Sequence, residues 1–370
     1  MSRSNSSSSI WAPRIATIAG IPIRLHFTFV LFLAWLAAAA NQQKQDAEGI
    51  ALIPAIFFCV LLHELGHALV AKRFGIKTRD ITLYPIGGVA MIEGRPKPKE
   101  EFWIAVAGPA VNVVIAGVIT IVLLATGSDL PKFDLGLGRQ GFIRDLVIAN
   151  AFIVVFNMVP AFPMDGGRVL RAVLAMLMPN PKATQIAGVL GQLLAMAFGI
   201  AGVFTGNILW MVIALFVFLG AGQEVSATLA FSLVEHRRVR DAMLTQFRTI
   251  AHGETLNTAW RMLLDGNQDD FPVVYGSETL GLLTKGNLYA ASAAGRADDY
   301  VADHIIRDFR RLPPDAPLEV ALEMFSGQDR TAILVMDGDQ LVGMLTPENL
   351  GEFMMREQTL ARSAQDPTRG

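Results

Sequence analysis

Six largely apolar runs, at residues 26–40 with their flanks, 50–70, 102–125, 142–160, 186–204 and 208–225, dominate the first two thirds of the chain. A helix needs about 20 such residues to cross a hydrocarbon core. Inside lipid every backbone N–H and C=O must be paired within the protein, which leaves helices as the economical solution for runs of this kind. Only 17% of residues are charged, against about 25% in ordinary soluble domains, and the deficit falls before residue 226. The expected fold is therefore an α-helical polytopic membrane protein of about six transmembrane helices with a C-terminal α/β part. The expected layout is a cytoplasmic N-terminal tail at 1–25 (disordered over 1–9), a membrane-embedded domain at 26–226 and a basic linker at 227–238. Two repeats at 239–296 and 299–358 and a tail at 359–370 follow. One cysteine, Cys59, excludes an intramolecular disulfide and a Cys-rich zinc module. A net charge of −2 without a long basic stripe argues against a nucleic-acid partner. No apolar core with a small-residue cleavage site opens the chain, so no removable signal peptide is expected.

Loop cations set an expected orientation. Arg3, Arg14 and Arg24 precede the first run; Lys72, Arg73, Lys77, Arg79, Arg95, Lys97 and Lys99 follow the second. Arg168, Arg171 and Lys182 follow the fourth, and Arg237, Arg238 and Arg240 the sixth. The opposite loops hold Lys44, then Lys132 and Arg139, then none. The bias puts both termini and the soluble part on the cytoplasmic side of a cytoplasmic membrane.

Residues 239–350 repeat themselves at a shift of 62. Val239-Arg240-Asp241 falls on Val301-Ala302-Asp303, Gly281-Leu282-Leu283-Thr284 on Gly343-Met344-Leu345-Thr346, and Asn287-Leu288 on Asn349-Leu350. Each copy has a helical segment (256–264; 318–325), two β-rich runs and a final helix from Lys285 or Pro347. In the second copy the runs are 331–336 and 341–345, around the hairpin signal Asp337-Gly338-Asp339. This pattern resembles a tandem pair of CBS domains, which often bind adenine nucleotides such as ATP or AMP. The resemblance implies nucleotide contacts from Thr284, Asn287, Thr346 and Asn349. Asn stands in both copies where that family usually has an acid, and a neutral amide accepts a hydrogen bond more weakly. A second reading makes the threonines helix N-caps and the pair a structural or homodimerising module.

The chemistry lies in His63-Glu64-Leu65-Gly66-His67, an H-E-x-x-H sequence. On a helix the two histidines stand one turn apart on one face, where both imidazoles reach one metal ion. Glu64 lies about 100° around, near enough to take a proton from a water that zinc has brought toward a pKa of about 7. Ionisable residues within an apolar helix are costly and by default mark function. Cys59, one turn earlier, reads as a small buried hydrophobe. Catalytic zinc usually has three protein ligands. The candidate third is Asp165, in Asn157-Met-Val-Pro-Ala-Phe-Pro-Met-Asp165-Gly-Gly-Arg168, which the orientation brings to the depth of His63 and His67. Alone, Asp165 before two glycines would read as a helix N-cap.

H-E-x-x-H in one span and N-x-x-P-x-x-P-x-D-G-G in another resemble the paired signatures of the site-2 protease family, zinc metalloproteases that cleave membrane-spanning helices of other proteins. The resemblance covers roughly residues 10–226, and with the CBS pair it is similar to a bacterial and archaeal subgroup. It implies one Zn2+ per chain on His63, His67 and Asp165, and Glu64 as general base. It implies a transmembrane protein substrate, such as a membrane-anchored regulator, met in the lipid bilayer. Gly108-Pro109-Ala110-Val111-Asn112 matches the family's G-P-x-x-N, implying an active-site hydrogen bond from Asn112, to a developing oxyanion; an interhelical amide bond is the alternative. Asn157 is read likewise, as a substrate contact or a packing amide. Residues 80–94 are too irregular for a span and have strand character. The resemblance implies that they pair with an unwound substrate, with Gly87 and Gly88 allowing close approach; the alternative is a plain hairpin.

A CBS-gated transporter or channel, or an inactive protease-like scaffold, explains the same two-part layout. Neither explains a glutamate between metal-spaced histidines. The donor set suits zinc, though other divalent ions accept it too. His26 reads as interfacial, and His236, His252 and His304 as residues outside the site.

Overall fold

The computed structural model describes residues 11–42, 47–85, 87–92, 94–131, 141–325 and 330–365. The tail expected at 1–9, Arg3, and the loop cations Lys44, Lys132 and Arg139 lie outside these residues. The chain divides into two units, Met1–Ser226 and Ala227–Gly370.

The first unit opens with β1 (Arg14–Ile18) and β2 (Ile21–Leu25). They are joined through Ala19 and Gly20 at φ 52° and 84°, the left-handed pair that a two-residue hairpin turn demands. Then come α1 (Phe27–Gln42), α2 (Ala47–Arg73), β3 (Thr78–Tyr84), β4 (Gly87–Ile92) and α3 (Pro98–Ala125). α4 (Phe142–Asn157), α5 (Asp165–Ala175), α6 (Asn180–Thr205) and α7 (Ile208–Val234) follow. The sheet order is β1-β2-β3-β4, with β2 and β3 parallel and the other pairs antiparallel. Residues 14–25 thus form sheet rather than the expected tail. The reason is the alternation Ile21, Ile23, Leu25, which buries one face of β2 against Leu61, Leu65, Ile81 and Leu83.

Among the described residues, four helical stretches are long and apolar enough to cross a membrane: Ile50–Arg73, Pro98–Ala125, Asn180–Thr205 and Ile208–Val234. α1 and α4 have 16 residues each, about 24 Å at 1.5 Å per residue, short of the roughly 30 Å core. The run expected as a span at 142–160 stops at Asn157 because Pro160 and Pro163 cannot continue a helix. Packing between helices follows membrane chemistry, with small residues inside and large ones facing out. On α6, Ala183, Ala187, Gly188, Gly191 and Ala195 are buried while Val189, Leu190 and Leu193 are exposed.

The second unit contains the repeat. β5 (Ile250–Ala251), β6 (Phe271–Tyr275) and β7 (Glu278–Leu283) make one sheet; β8 (Arg311–Leu312), β9 (Ile333–Asp337) and β10 (Gln340–Leu345) make the other. A short α8 (Val239–Ala242) leads in, α9 (Leu256–Leu264) and α10 (Lys285–Ala293) serve the first sheet, and α11 (Leu318–Phe325) and α12 (Pro347–Gln365) the second. Each repeat lends a bridge to the other: Leu244 pairs with Met344, and Leu282 with Ile306. Asp270 also ties them, its carboxylate accepting from the N–H of Ala332 at 2.9 Å and of Lys285 at 3.4 Å. Burial pushes that carboxyl above its ordinary range.

Candidate metal centre

α2 presents His63 and His67 one turn apart, as their spacing requires, with both side chains buried. Their Nε2 atoms are 3.1 Å apart, and Asp165 Oδ2 lies 3.0 Å from the first and 3.2 Å from the second. The opposite ring nitrogens fix the tautomers. His67 Nδ1 donates to the carbonyl of Ile104 at 2.6 Å, and His63 Nδ1 to Asn112 Oδ1 at 2.6 Å. A neutral imidazole that donates from Nδ1 has only a lone pair on Nε2. With both imidazoles neutral, two nitrogen lone pairs and a carboxylate oxygen converge, the donor set that a divalent cation accepts. Donors about 2.0 Å from a tetrahedral zinc stand about 3.3 Å apart, so the triangle fits that ion. These three buried residues have the geometry to hold a metal ion.

Three local features bring the donors together. Gly66 lets α2 and α3 touch: a Cβ there would lie 2.8 Å from Val111 Cγ2 and 2.9 Å from the carbonyl oxygen of Ala107. Gly108 forms the floor of the site, since a Cβ on it would stand 2.2 Å from His67 Nε2 and 2.6 Å from His63 Nε2. After α4 the proline-rich loop reverses the chain and delivers Asp165 in the first turn of α5. Gly166 and Gly167 press on that loop, their Cβ positions 2.3 Å from Val159 O and 2.5 Å from the carbonyl carbon of Ala161.

Behind His63 runs a buried chain of amides. Asn112 Nδ2 donates to Asn150 Oδ1 at 2.8 Å, and Asn150 Nδ2 donates to the Leu146 carbonyl at 2.8 Å and faces Cys59 Sγ at 3.4 Å. Asn112 thus bonds to His63 and to Asn150 on two neighbouring helices at once. Asn150 was not anticipated; a fully buried amide inside an apolar run is the signal that could have exposed it. Outer partners of ligating histidines usually govern metal affinity by about 10- to 100-fold. Asn112→Leu is expected to weaken zinc binding by that much, measured by competition with a chromogenic chelator; unchanged affinity would remove Asn112 from the site.

Glu64 is half-buried beside the donors. Gly88 of the outer strand β4 lies directly on it, a Cβ there falling 2.6 Å from Glu64 Cγ. Gly87, at φ 140°, has open space around its Cβ position. Asn157 is half-buried at the end of α4 and its side chain bonds to none of the described residues. His26 stands at the start of α1, its Nδ1 2.7 Å from the Thr28 hydroxyl. In the second unit Thr284 and Thr346 accept from the N–H groups of Asn287 and Asn349 at 3.2 and 3.3 Å, which makes both helix caps. Asn287 Nδ2 donates to the His304 carbonyl at 2.8 Å, and Asn349 Oδ1 accepts from Thr346 Oγ1 at 2.8 Å.

Residues 51–144 match Peptidase family M50, and residues 301–355, the second repeat, match the CBS domain. The zinc metalloprotease MJ0392 of Methanocaldococcus jannaschii is 31% identical to 91% of this chain and 94% of its own. The chain belongs to peptidase family M50. The protein Rip3 of Mycobacterium tuberculosis is 28% identical over 96% of this chain and 97% of its own. Among solved structures, a site-2 protease from Methanocaldococcus jannaschii matches at 39% identity and a TM-score of 0.45, covering 58% of this chain and 95% of that one. In this M50 chain the matched residues 51–144 contain both histidines, Glu64, Gly108 and Asn112. The M50 chain is a zinc metalloprotease with membrane-capable helices, and the transporter reading gives way.

Proposed function

We propose that the M50 chain is an intramembrane endopeptidase of the cytoplasmic membrane that hydrolyses a peptide bond in or near a transmembrane helix of another protein. The observation that carries this reading is Gly88: an outer strand lies against the acid beside a three-donor metal site. A helix hides its peptide bonds, so a substrate must become extended before attack, and an outer sheet strand offers main-chain bonds to hold it so. Gly88 lets that strand approach Glu64, and Gly87 beside it leaves open space for a substrate backbone. His63, His67 and Asp165 would hold a zinc ion, which when bound would supply Lewis-acid chemistry that lowers the pKa of a water toward about 7. Glu64 takes the proton of the attacking water on its carboxylate and passes it to the leaving amine. Asn112 keeps the His63 ring aimed, and Asn157 faces the substrate. The loop-cation bias supports a topology with both termini and the CBS pair in the cytoplasm. The test is incubation of the full chain in lipid nanodiscs with designed single-span helices and mass spectrometry of the products. Cuts within the helices, abolished by a zinc chelator and restored by added zinc, are expected; intact helices with zinc-loaded protein would overturn the reading.

A nucleotide role for the CBS pair has one supporting observation, a cavity of about 400 Å³ beside Asn287 that is also lined by Arg296, Asp303 and His304. Arg296 suits a phosphate and Asp303 a ribose hydroxyl. AMP or ATP is expected to raise the melting temperature of the full chain and to lose that effect in Asp303→Ala. No shift with either nucleotide would leave the pair a structural or dimerising module.

A further inference from the structure

A second cavity, of about 230 Å³, lies in the first unit next to the metal centre, walled by Ala90 and Ile92 of β4, Glu101 of α3, Arg168 and Arg171 of α5, and Glu224 of α7. Its two α5 arginines differ. Arg171 is spent internally: its Nε donates to Glu101 at 2.8 Å, its Nη2 contacts the same carboxylate, and its Nη1 donates to Glu224 at 2.9 Å. Arg168 stands one turn after Asp165 on α5, and among the described residues its guanidinium has neither a hydrogen bond nor an ion pair. A guanidinium is a planar fork of five N–H donors whose best match is a carboxylate held bidentately. Glu101 and Glu224 are both taken up by Arg171, so the N–H donors of Arg168 line the cavity without a hydrogen-bonded carboxylate of their own.

The strand that passes the acid also leads to this cavity. Gly88, Ala90 and Ile92 share one face of β4, alternating with the exposed Val89 and Met91. Gly88 touches Glu64, while Ala90 and Ile92, two and four residues on, wall the cavity. An extended substrate laid along β4 advances about 3.3 Å per residue. With its scissile peptide at Glu64, the side chain two or four residues away therefore reaches the cavity.

We propose that the cavity is a substrate subsite for an acidic side chain, Asp or Glu, two to four residues from the scissile peptide, with Arg168 as its partner. The inference rests on the substrate-strand reading above, and the experiment keeps the two apart. Designed single-span helices differ only in carrying Asp, Asn, Lys or Leu at two, three or four positions from the cut. They are assayed with the full chain in nanodiscs, for cleavage by wild type and for binding to Glu64→Gln protein. A charge-assisted bond gives an expected preference for Asp over Asn of about 10-fold in kcat/KM and in binding. Arg168→Gln is expected to bring that ratio to about 1 and Arg168→Lys to retain most of it. Zinc content shows whether each variant keeps its metal site; if Arg168→Gln does not, the wild-type and Arg168→Lys ratios decide. An equal ratio in wild type and Arg168→Gln, or a wild-type ratio near 1, would overturn the subsite. Absence of cleavage with a preserved Asp preference in binding would overturn the protease reading and leave the subsite standing.

Discussion

Glu64→Gln is expected to lower cleavage by about 10²- to 10⁴-fold, the usual contribution of a general base, while zinc content stays at the wild-type level. Glutamine has the same shape, so its contact with Gly88 persists. It lacks the basic oxygen that takes the proton, and it is not among the three converging donors. The variant therefore separates proton transfer from metal holding. Initial rates on a cut helix and metal analysis of the same preparation check it. Retained cleavage would place the base elsewhere, and lost zinc would make Glu64 a ligand.

Gly108→Ala is expected to remove zinc and activity together. The added methyl would occupy space 2.2 Å from His67 Nε2 and 2.6 Å from His63 Nε2, the two atoms that hold the ion. Relief requires either α3 to retreat or both rings to swing, and the Nδ1 bonds to Ile104 and Asn112 oppose the swing. Gly117, on the same helix with nothing within 4 Å of its Cβ position, is the control. Gly117→Ala is expected to keep full zinc, since alanine costs a helix less than glycine does. Metal analysis of both variants decides: a zinc-replete Gly108→Ala would mean that the α3 floor does not lie where the histidines converge.

The chemistry was legible in the sequence because it depends on spacing that a helix converts directly into geometry. His63 and His67 share a face by their spacing alone, and the loop-cation orientation assigns Asp165 to the same depth. The repeat was equally legible: β6 and β9 begin at Phe271 and Ile333, β7 and β10 at Glu278 and Gln340, the shift read from the residues themselves. What escaped depends on long-range packing. The hairpin at residues 14–25 is short and rich in arginine, and only its parallel pairing with β3 turns Ile21 and Ile23 into core. Asn150 looks like an isolated polar residue in an apolar run until Asn112 meets it across two helices. Arg168 and Arg171 counted only as cytoplasmic charge; the fold sets one against Glu101 and Glu224 and leaves the other facing a cavity. The span at 142–160 is three residues shorter than its apolar run, because hydropathy continues through residues 158–160 where the helix has already ended ahead of Pro160.

The central claim is that His63, His67 and Asp165 hold a zinc ion inside a membrane-embedded domain. Metal content of the detergent-purified full chain, wild type beside His67→Ala, tests it without any substrate. One zinc per wild-type chain and none in folded His67→Ala is the predicted result. A folded wild-type protein without bound metal, or one whose zinc survives the loss of His67, would contradict it.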